Sequence, residues 1–297
     1  MRAGARSGIT ALALTGVLWG SLGVVVRLLQ DAGVDTLSIL FWRLTCACVV
    51  LVPLLGARGL RALRVAARRP RRLAAVAVGS LAFQLLYFFA VRDVGVAVAT
   101  LITLGLAPVA LAVVETVRRR TMPDARTLAV LASALAGLAL VTGAGGAAGP
   151  RPLAGVLEAV ASGLTYAAST AWSGPLSARL SPLAITLATS VVGTALLAPA
   201  VLLTGAAPPR TPSAVAGIVW LGVVTTVLAY GLFYAGLRTT PGSVAMIITL
   251  LEPVTAVALA AAVLGERLTA SNVIGGALLV AAVAALYLRP PPRLAPT

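Results

Sequence analysis

Ten runs of about twenty predominantly apolar residues follow one another along the chain, at about 8–27, 37–55, 73–91, 95–117, 125–143, 152–172, 181–203, 214–236, 241–264 and 270–288. A helix rises about 1.5 Å per residue, so each run is long enough to cross a hydrocarbon layer about 30 Å thick. Inside such a layer every backbone N–H and C=O must be satisfied within the chain, which leaves the helix as the only fold for runs of this length. The breaks fall where helix-stopping residues stand: Gly33, Gly56 to Gly59, Pro123, Gly149-Pro150, Pro182, Pro208-Pro209 and Pro241. Arg2 and Arg6 precede the first run as they would in a signal peptide, but that run exceeds a signal's apolar core and no clear cleavage site follows. The expected class is an all-α integral membrane protein with ten transmembrane helices.

The same text is written twice. Moving back 145 positions sets Ile102-Thr103-Leu104-Gly105-Leu106-Ala107-Pro108-Val109 under Ile247-Ile248-Thr249-Leu250-Leu251-Glu252-Pro253-Val254. The shift also pairs Phe88-Phe89-Ala90 with Phe233-Tyr234-Ala235, and Asp124-Ala125 with Thr269-Ala270. An ungapped register of this extent marks an internal duplication. We divide the chain into residues 1–146 and 147–297, five spans each. Five is odd, so the second half enters the bilayer upside down, and the halves are expected to be related by a two-fold axis in the membrane plane. Secondary transporters use this arrangement to hold a solute near the midplane.

Charge sets the orientation. The formal net charge is +15, and all the basic residues are arginines. They gather at the ends of apolar runs, without the aromatic platform that single-stranded nucleic acid requires, so a basic membrane rim is expected and nucleic acid is not. Arg58, Arg61, Arg64, Arg68, Arg69, Arg71 and Arg72 lie between spans two and three; Arg118, Arg119, Arg120 and Arg126 lie between spans four and five. With Arg2, Arg6, Arg289 and Arg293 they fall on one side, against Arg27, Arg92, Arg151, Arg210 and Arg267 on the other. The positive-inside rule makes the first side, with both termini, cytoplasmic. Cys46 and Cys48 are two apart and do not face each other on a helix, so neither a disulfide nor a metal site is expected, and no cofactor motif or phosphate-binding loop is present.

Four ionisable residues lie within or near the ends of the spans. A charge at the centre of a membrane helix costs about 2.5–3.5 kcal/mol on insertion scales, so such residues face a bundle interior or water. Glu115 stands within a turn of Arg118 and Arg119, and the plain reading is an interfacial pair. Arg43 and Glu158 each enter from the outer side at about 9 Å depth, one per half, and form a candidate pair: a permanent brace, a switchable outer gate, or an anchor for a charged solute group. Glu252 is the strongest candidate for a proton- or substrate-coupling site, because it sits mid-span and the first half has Ala107 in its place. Pro253 removes one backbone donor and leaves the Thr249 carbonyl open, so a helix kink is expected there and at the matching Pro108. Tyr87, Tyr166, Tyr230, Tyr234 and Trp19 lie inside spans, as cavity walls or as ordinary core. Thr103 and Thr249 either open their hydroxyls to the same cavity or bond back to the preceding turn. Trp42, Trp172 and Trp220 fall towards span ends, where tryptophan anchors at the interface.

Taken in order, these residues resemble the drug/metabolite transporter superfamily, in its ten-helix bacterial form built from two EamA domains. The resemblance rests on Leu18-Trp19-Gly20-Ser21, Arg43-Leu44, Tyr87 through Ala90, Ala107-Pro108, Gly155-Val156-Leu157, and Tyr230 through Glu252-Pro253 to Leu264-Gly265-Glu266-Arg267-Leu268-Thr269. It implies a central cavity lined by spans one, three, four, six, eight and nine, which carry Trp19, Tyr87, Thr103, Tyr166, Tyr230 and Glu252. It also implies transport of small metabolites in the bacterial inner membrane, often export of amino acids. The first half departs from the pattern, with Arg118-Arg119-Arg120-Thr121 where a second Gly-Glu is common. Drug efflux by the same fold and a non-transporting scaffold or receptor are the rival expectations. A phosphate-bearing solute would want several cavity cations, and an intramembrane enzyme would want a nucleophile, a base or clustered metal ligands.

Overall fold

The computed structural model describes the backbone of residues 2–67, 70–120, 122–143, 150–177, 180–204, 208–265 and 267–288. Arg68, Arg69, Glu266, Arg289 and Arg293 lie outside the described residues, as do the side chains of Arg2, Arg58, Arg64 and Arg119. The described chain is helical throughout: α1 (Arg2–Asp31), α2 (Thr36–Ala67), α3 (Pro70–Val94), α4 (Val96–Arg119), α5 (Ala125–Thr142), α6 (Pro152–Ser177) and α7 (Pro182–Thr204). Span eight is composite, α8 (Pro212–Trp220), a π segment (Leu221–Leu228) and α9 (Ala229–Gly236); span nine is α10 (Gly242–Thr249) and α11 (Leu251–Leu264), and span ten is α12 (Ala270–Leu288). Nine described helices are long and apolar enough to cross a membrane. The tenth, α6, has 26 residues but is richer in hydroxyls, with Ser162, Ser169, Thr170, Ser173 and Ser177 all buried. It packs on α3 and α4, and its serines donate to carbonyls, Ser162 to Phe83 at 2.9 Å and Ser169 to Val76 at 3.1 Å. Polar character is tolerated there because protein surrounds it and Ser162, Ser169 and Ser173 are hydrogen-bonded, although the buried Ser177 hydroxyl has no partner.

The packing obeys a two-fold exchange of halves. Span one lies on spans eight and nine; its counterpart, span six, lies on spans three and four. Spans two and seven, four and nine, and five and ten meet as counterpart pairs. Contacts that map onto themselves when halves are swapped define a two-fold axis, and with five spans per half it is the in-plane axis of an inverted repeat. Both ends of the described chain meet on one face, where the Arg6 guanidinium sits 5.7 Å from the Tyr287 ring centre. Small residues bring the helices together. At the crossing of α5 and α12, a Cβ on Gly137 would lie 2.8 Å from the Gly275 carbonyl oxygen, and one on Gly275 would lie 2.6 Å from that of Gly137. The aligned pair Asp124 and Thr269 does the same work in both halves. Asp124 Oδ1 accepts from Thr127 N at 2.9 Å to cap α5, and Thr269 Oγ1 accepts from Asn272 N at 3.2 Å to cap α12.

Kinks are less symmetric than expected. Span two bends at Gly56 (φ 49°, ψ −136°), which a residue with a Cβ reaches only with strain. Helix α4 runs unbroken through Pro108, so the kink expected there does not interrupt it. Span nine does break, at Leu250, whose ψ of 0° leaves the helical region three residues before Pro253. Neighbouring the break, Gly16 and Gly20 of α1 form a Gly-x-x-x-Gly face against span nine. A Cβ on Gly16 would lie 3.1 Å from the Thr249 carbonyl oxygen, so the carbonyl released by Pro253 is covered by α1 rather than open to a ligand.

Candidate functional site

Where the halves meet, a cavity enclosing about 580 Å³ of empty space, its open side included, is lined by the rings of Trp19, Phe83, Tyr87, Phe88, Tyr166 and Tyr230. Its polar members are Glu252, Arg43 and Gln84, with Leu22 and Leu104 completing the wall. Two aromatic pairs flank it, one at each cross-half junction. Trp19 of α1 meets Tyr230 of α9 edge-on at 5.0 Å, and Phe83 of α3 stacks on Tyr166 of α6 at 4.4 Å and 17°. The rings are held by hydrogen bonds to backbone and hydroxyl partners. Trp19 Nε1 donates to the Thr225 carbonyl at 3.0 Å, and the Tyr87 hydroxyl lies 2.7 Å from Thr100 Oγ1. The Thr225 acceptor is supplied by the π segment, whose wider turn also lets Thr226 Oγ1 donate back five residues to the Leu221 carbonyl at 2.9 Å.

Glu252 reaches this cavity through the break in span nine. The interruption at Leu250 makes Glu252 part of the first turn of a new half-helix, α11. Unpaired N–H groups and the helix dipole favour negative charge at that position. Among the described residues no hydrogen bond or ion pair engages its carboxyl group, and the phenol rings of Tyr87, Tyr166 and Tyr230 are its neighbours across the cavity. An acid that its own protein leaves unpaired, at a half-helix terminus facing a mid-span cavity, is available to a proton or to a cationic group of a guest.

Five residues expected at the cavity are brought together there: Trp19, Tyr87, Tyr166, Tyr230 and Glu252. Three others stand elsewhere. Tyr234 is buried behind Tyr230, at 6.0 Å between ring centres, and lines an adjoining polar chamber. Thr103 donates to the Ala159 carbonyl at 3.1 Å and ties α4 to α6, where Gly163 lets the two backbones approach. Thr249 does not line the cavity itself; it bonds back to the Met246 carbonyl at 2.9 Å and its hydroxyl also meets that of Tyr166, a wall residue. Arg43 and Glu158 are not paired. The Arg43 guanidinium donates to Gln84 Oε1, while Glu158 Oε2 is buried without a hydrogen-bond partner. Matched depth on two helices did not bring them together because α6 packs on α3 and α4, and α2 packs on α7 and the π segment.

Glu115 also departs from the interfacial reading. Its Oε1 accepts from Ser243 N at 3.2 Å and its Oε2 from Ser243 Oγ at 2.6 Å, so a side chain of span four caps the start of span nine. Pro241 precedes that helix and offers no side-chain cap of its own, which leaves the exposed N–H to a partner from the other half. On the opposite face the halves are joined by Arg151 Nη2, 2.9 Å from Asp93 Oδ2, with Arg92 Nε 2.8 Å from Oδ1. Gln84, Phe83, Asp93 and the π segment were not singled out in the sequence, and Phe88 was noted only in the repeat and the family resemblance, not as a cavity residue. Of these only Gln84, a lone amide in the apolar run Leu81-Ala82-Phe83-Gln84-Leu85, carries a signal that could have drawn notice.

Comparison with known proteins agrees with this architecture. The chain is 31% identical over 285 residues to an uncharacterized transporter of Archaeoglobus fulgidus, covering 94% of this chain and 95% of the other. It is 25% identical over 288 residues to the uncharacterized inner membrane transporter YicL of Salmonella typhimurium, covering 95% and 96%. A solved crystal structure superposes with a TM-score of 0.80 at 20% identity, over 95% of this chain and 97% of that one, which speaks for the fold alone. The model of the EamA-like transporter family matches twice, at residues 6–143 and 153–288, once over each five-span half. The chain therefore belongs to the EamA-like transporter family and is a multi-pass membrane transporter, not an enzyme.

Proposed function

We propose that this transporter moves a small organic metabolite, an amino acid or a related solute, outward across the cell membrane by alternating access, with proton movement through Glu252 as the coupling step. The observation that carries the reading is the unpaired Glu252 at the start of a half-helix in a mid-span cavity between the two halves. Rocking of residues 1–146 against 147–297 about the in-plane axis would open the cavity to each side in turn. The aromatic walls hold apolar side chains, and the acid engages an amine or a proton. Arg43, Tyr87, Tyr166 and Tyr230 are the other charged and titratable groups facing that cavity. Both termini in the cytoplasm is the orientation the arginines favour, with Arg71, Arg72, Arg118, Arg120 and Arg126 between even- and odd-numbered spans on the side of the termini.

The test is counterflow and gradient-driven flux in proteoliposomes, using a panel of L-amino acids beside lipophilic cations, with and without a pH difference. The reading expects flux of amino acids that responds to the pH difference, and a Glu252→Gln protein that folds and still exchanges solute but no longer responds to pH. An unaltered pH response in Glu252→Gln would reject proton coupling through this residue. Flux confined to the lipophilic cations would replace metabolite export with drug efflux, and silence across the panel would reject both solute classes.

A further inference from the structure

Behind the aromatic cavity lies a second, polar chamber of about 370 Å³, its open side included, between spans two, three, seven and eight. Arg43, Gln84 and Tyr230 belong to both spaces, so the chamber is an annex of the first. Its remaining wall carries the hydroxyls of Ser80, Thr189, Ser190 and Tyr234, and no carboxylate lines it.

Arg43 is 3% exposed and makes no ion pair among the described residues. A buried guanidinium without an anion is costly, because it has lost its water and gained only neutral acceptors. Here it has gained one, Gln84 Oε1, and Gln84 is itself anchored by donating from Nε2 to the Ser80 carbonyl at 3.0 Å. Arg43 Nε is buried with no partner. Ser190 is 1% exposed and its Oγ is likewise without a partner. Both groups line the same chamber, both are donors, and the neighbouring Thr186, Thr189 and Thr226 hydroxyls are turned back to their own helices. Two unused donors, one of them cationic, around a space that admits a water-sized guest describe the coordination of a compact anion.

We infer that the Arg43–Ser190 chamber is a binding site for a small, singly charged anion, either the carboxylate of a solute whose body lies in the aromatic cavity or a free inorganic anion such as chloride. The assignment to a solute's carboxylate rests on the transport reading above; the anion site itself does not. A carboxylate at Arg43 and an amine at Glu252 would make the paired chambers selective for zwitterions, since a guest lacking either charge leaves one buried group without its complement.

The test is thermal unfolding of the full chain in detergent at constant ionic strength, with sodium acetate or sodium chloride replacing the sodium salt of a bulky sulfonate buffer. A guest that binds only the folded chain raises the unfolding temperature with the logarithm of its concentration. Wild-type protein is expected to respond to acetate, chloride or both; acetate alone assigns the site to a solute carboxylate, and chloride alone to a free anion. Arg43→Gln is expected to start at an equal or higher unfolding temperature, its uncompensated charge gone, and to give no response. Ser190→Ala is expected to need about tenfold more anion for the same shift, the loss of one hydrogen bond to a charged guest. If Arg43→Gln fails to fold, Arg43→Lys serves in its place and is expected to bind at least tenfold more weakly, because a lysine has no fixed Nε donor to aim. A wild type indifferent to both anions, or curves that coincide for wild type and the Arg43 and Ser190 variants, would overturn the inference. Solute flux in proteoliposomes combined with that indifference would sink the anion site alone, whereas an anion response without any flux would sink the transport reading alone.

Discussion

Three glycines of α1 give a graded test of how closely span one must approach the broken helix that carries Glu252. A Cβ added at Gly20 would fall 2.4 Å from Thr255 Cβ and 2.8 Å from the Glu252 carbonyl oxygen, neither of which can yield without moving span nine. At Gly16 the nearest atoms would be Leu251 Cβ and the Thr249 carbonyl oxygen, both at 3.1 Å, a contact relieved by a shift of a few tenths of an ångström. At Gly23 nothing lies within 4 Å. Alanine improves helix propensity over glycine by about 1 kcal/mol, and that gain is common to all three sites. Comparing Gly20→Ala with Gly23→Ala cancels it and isolates overpacking, which costs about 1–3 kcal/mol. The assay is unfolding by titration with sodium dodecyl sulfate in mixed micelles, read by circular dichroism, beside solute counterflow. Gly20→Ala should be the least stable and lose most of its flux, Gly16→Ala should lie between, and Gly23→Ala should match or exceed the wild type. Equal midpoints and fluxes for Gly20→Ala and Gly23→Ala would refute the idea that α1 is pressed against the span-nine break.

Two further outcomes follow from the caps. Glu115→Ala should cost about 1–2 kcal/mol in the same titration, since it removes both a helix cap and a favourable charge at a helix start; Ser243→Ala combined with it should add little more, and strictly additive losses would show that the two do not act as a pair. Asp124 is held below its ordinary value of 3.8 by hydrogen bonds from Thr127. A carboxylate whose folded pKa is depressed stabilises the fold above the unfolded value and loses that contribution as pH falls through the folded one. Asp124→Asn should therefore flatten the pH dependence of the unfolding temperature below about pH 3.8 while leaving it near neutral pH almost unchanged. A steep acid slope retained in Asp124→Asn would show that other carboxylates dominate it.

Most of the scaffold was legible because membrane helices are specified by quantities a sequence displays directly. Length, apolar content, helix stops and arginine placement yield ten spans, and the 145-residue register yields the inverted repeat. Cavity residues were partly legible for a related reason. An aromatic or an acid in the middle of an apolar span is conspicuous, and Trp19, Tyr87, Tyr166, Tyr230 and Glu252 all face the cavity. What failed was the rotation of helices about their own axes, which depth does not fix. Thr103 turns to a carbonyl of α6, and Arg43 and Glu158 lie at similar depth on helices that are not neighbours. The Gly16–Gly20 face and the π segment are legible only once the partner helix is known, since each is defined by what lies against it.

The duplication also explains where the chemistry is concentrated. Spans four and nine are counterparts that face each other near the axis, so a difference between them cannot be averaged away by a second copy elsewhere. Three differences accumulate on this one pair: span nine has Glu252 where span four has Ala107, it breaks at Leu250 where span four runs through Pro108, and its start is capped by Glu115 of span four. The reciprocal cap is missing, because Ala260 stands at the position matching Glu115. One face thus joins spans four and nine through a carboxylate on a helix terminus, while the opposite face joins the halves through Asp93 and Arg151 on spans three and six. In the alternating-access cycle proposed above, braces of different chemistry at opposite faces would give the two open states unequal energies, whereas two identical halves would make them equal by symmetry. If the protein works by the alternating access proposed above, such unequal braces would set its resting bias, and loosening only the Glu115–Ser243 contact should shift the resting population towards the state open on the face of the termini. Thiol labelling of a cysteine placed at Ser80, in a variant free of Cys46 and Cys48, measures that population from each side of the membrane; labelling unchanged by Glu115→Ala would remove this brace from the account of the bias.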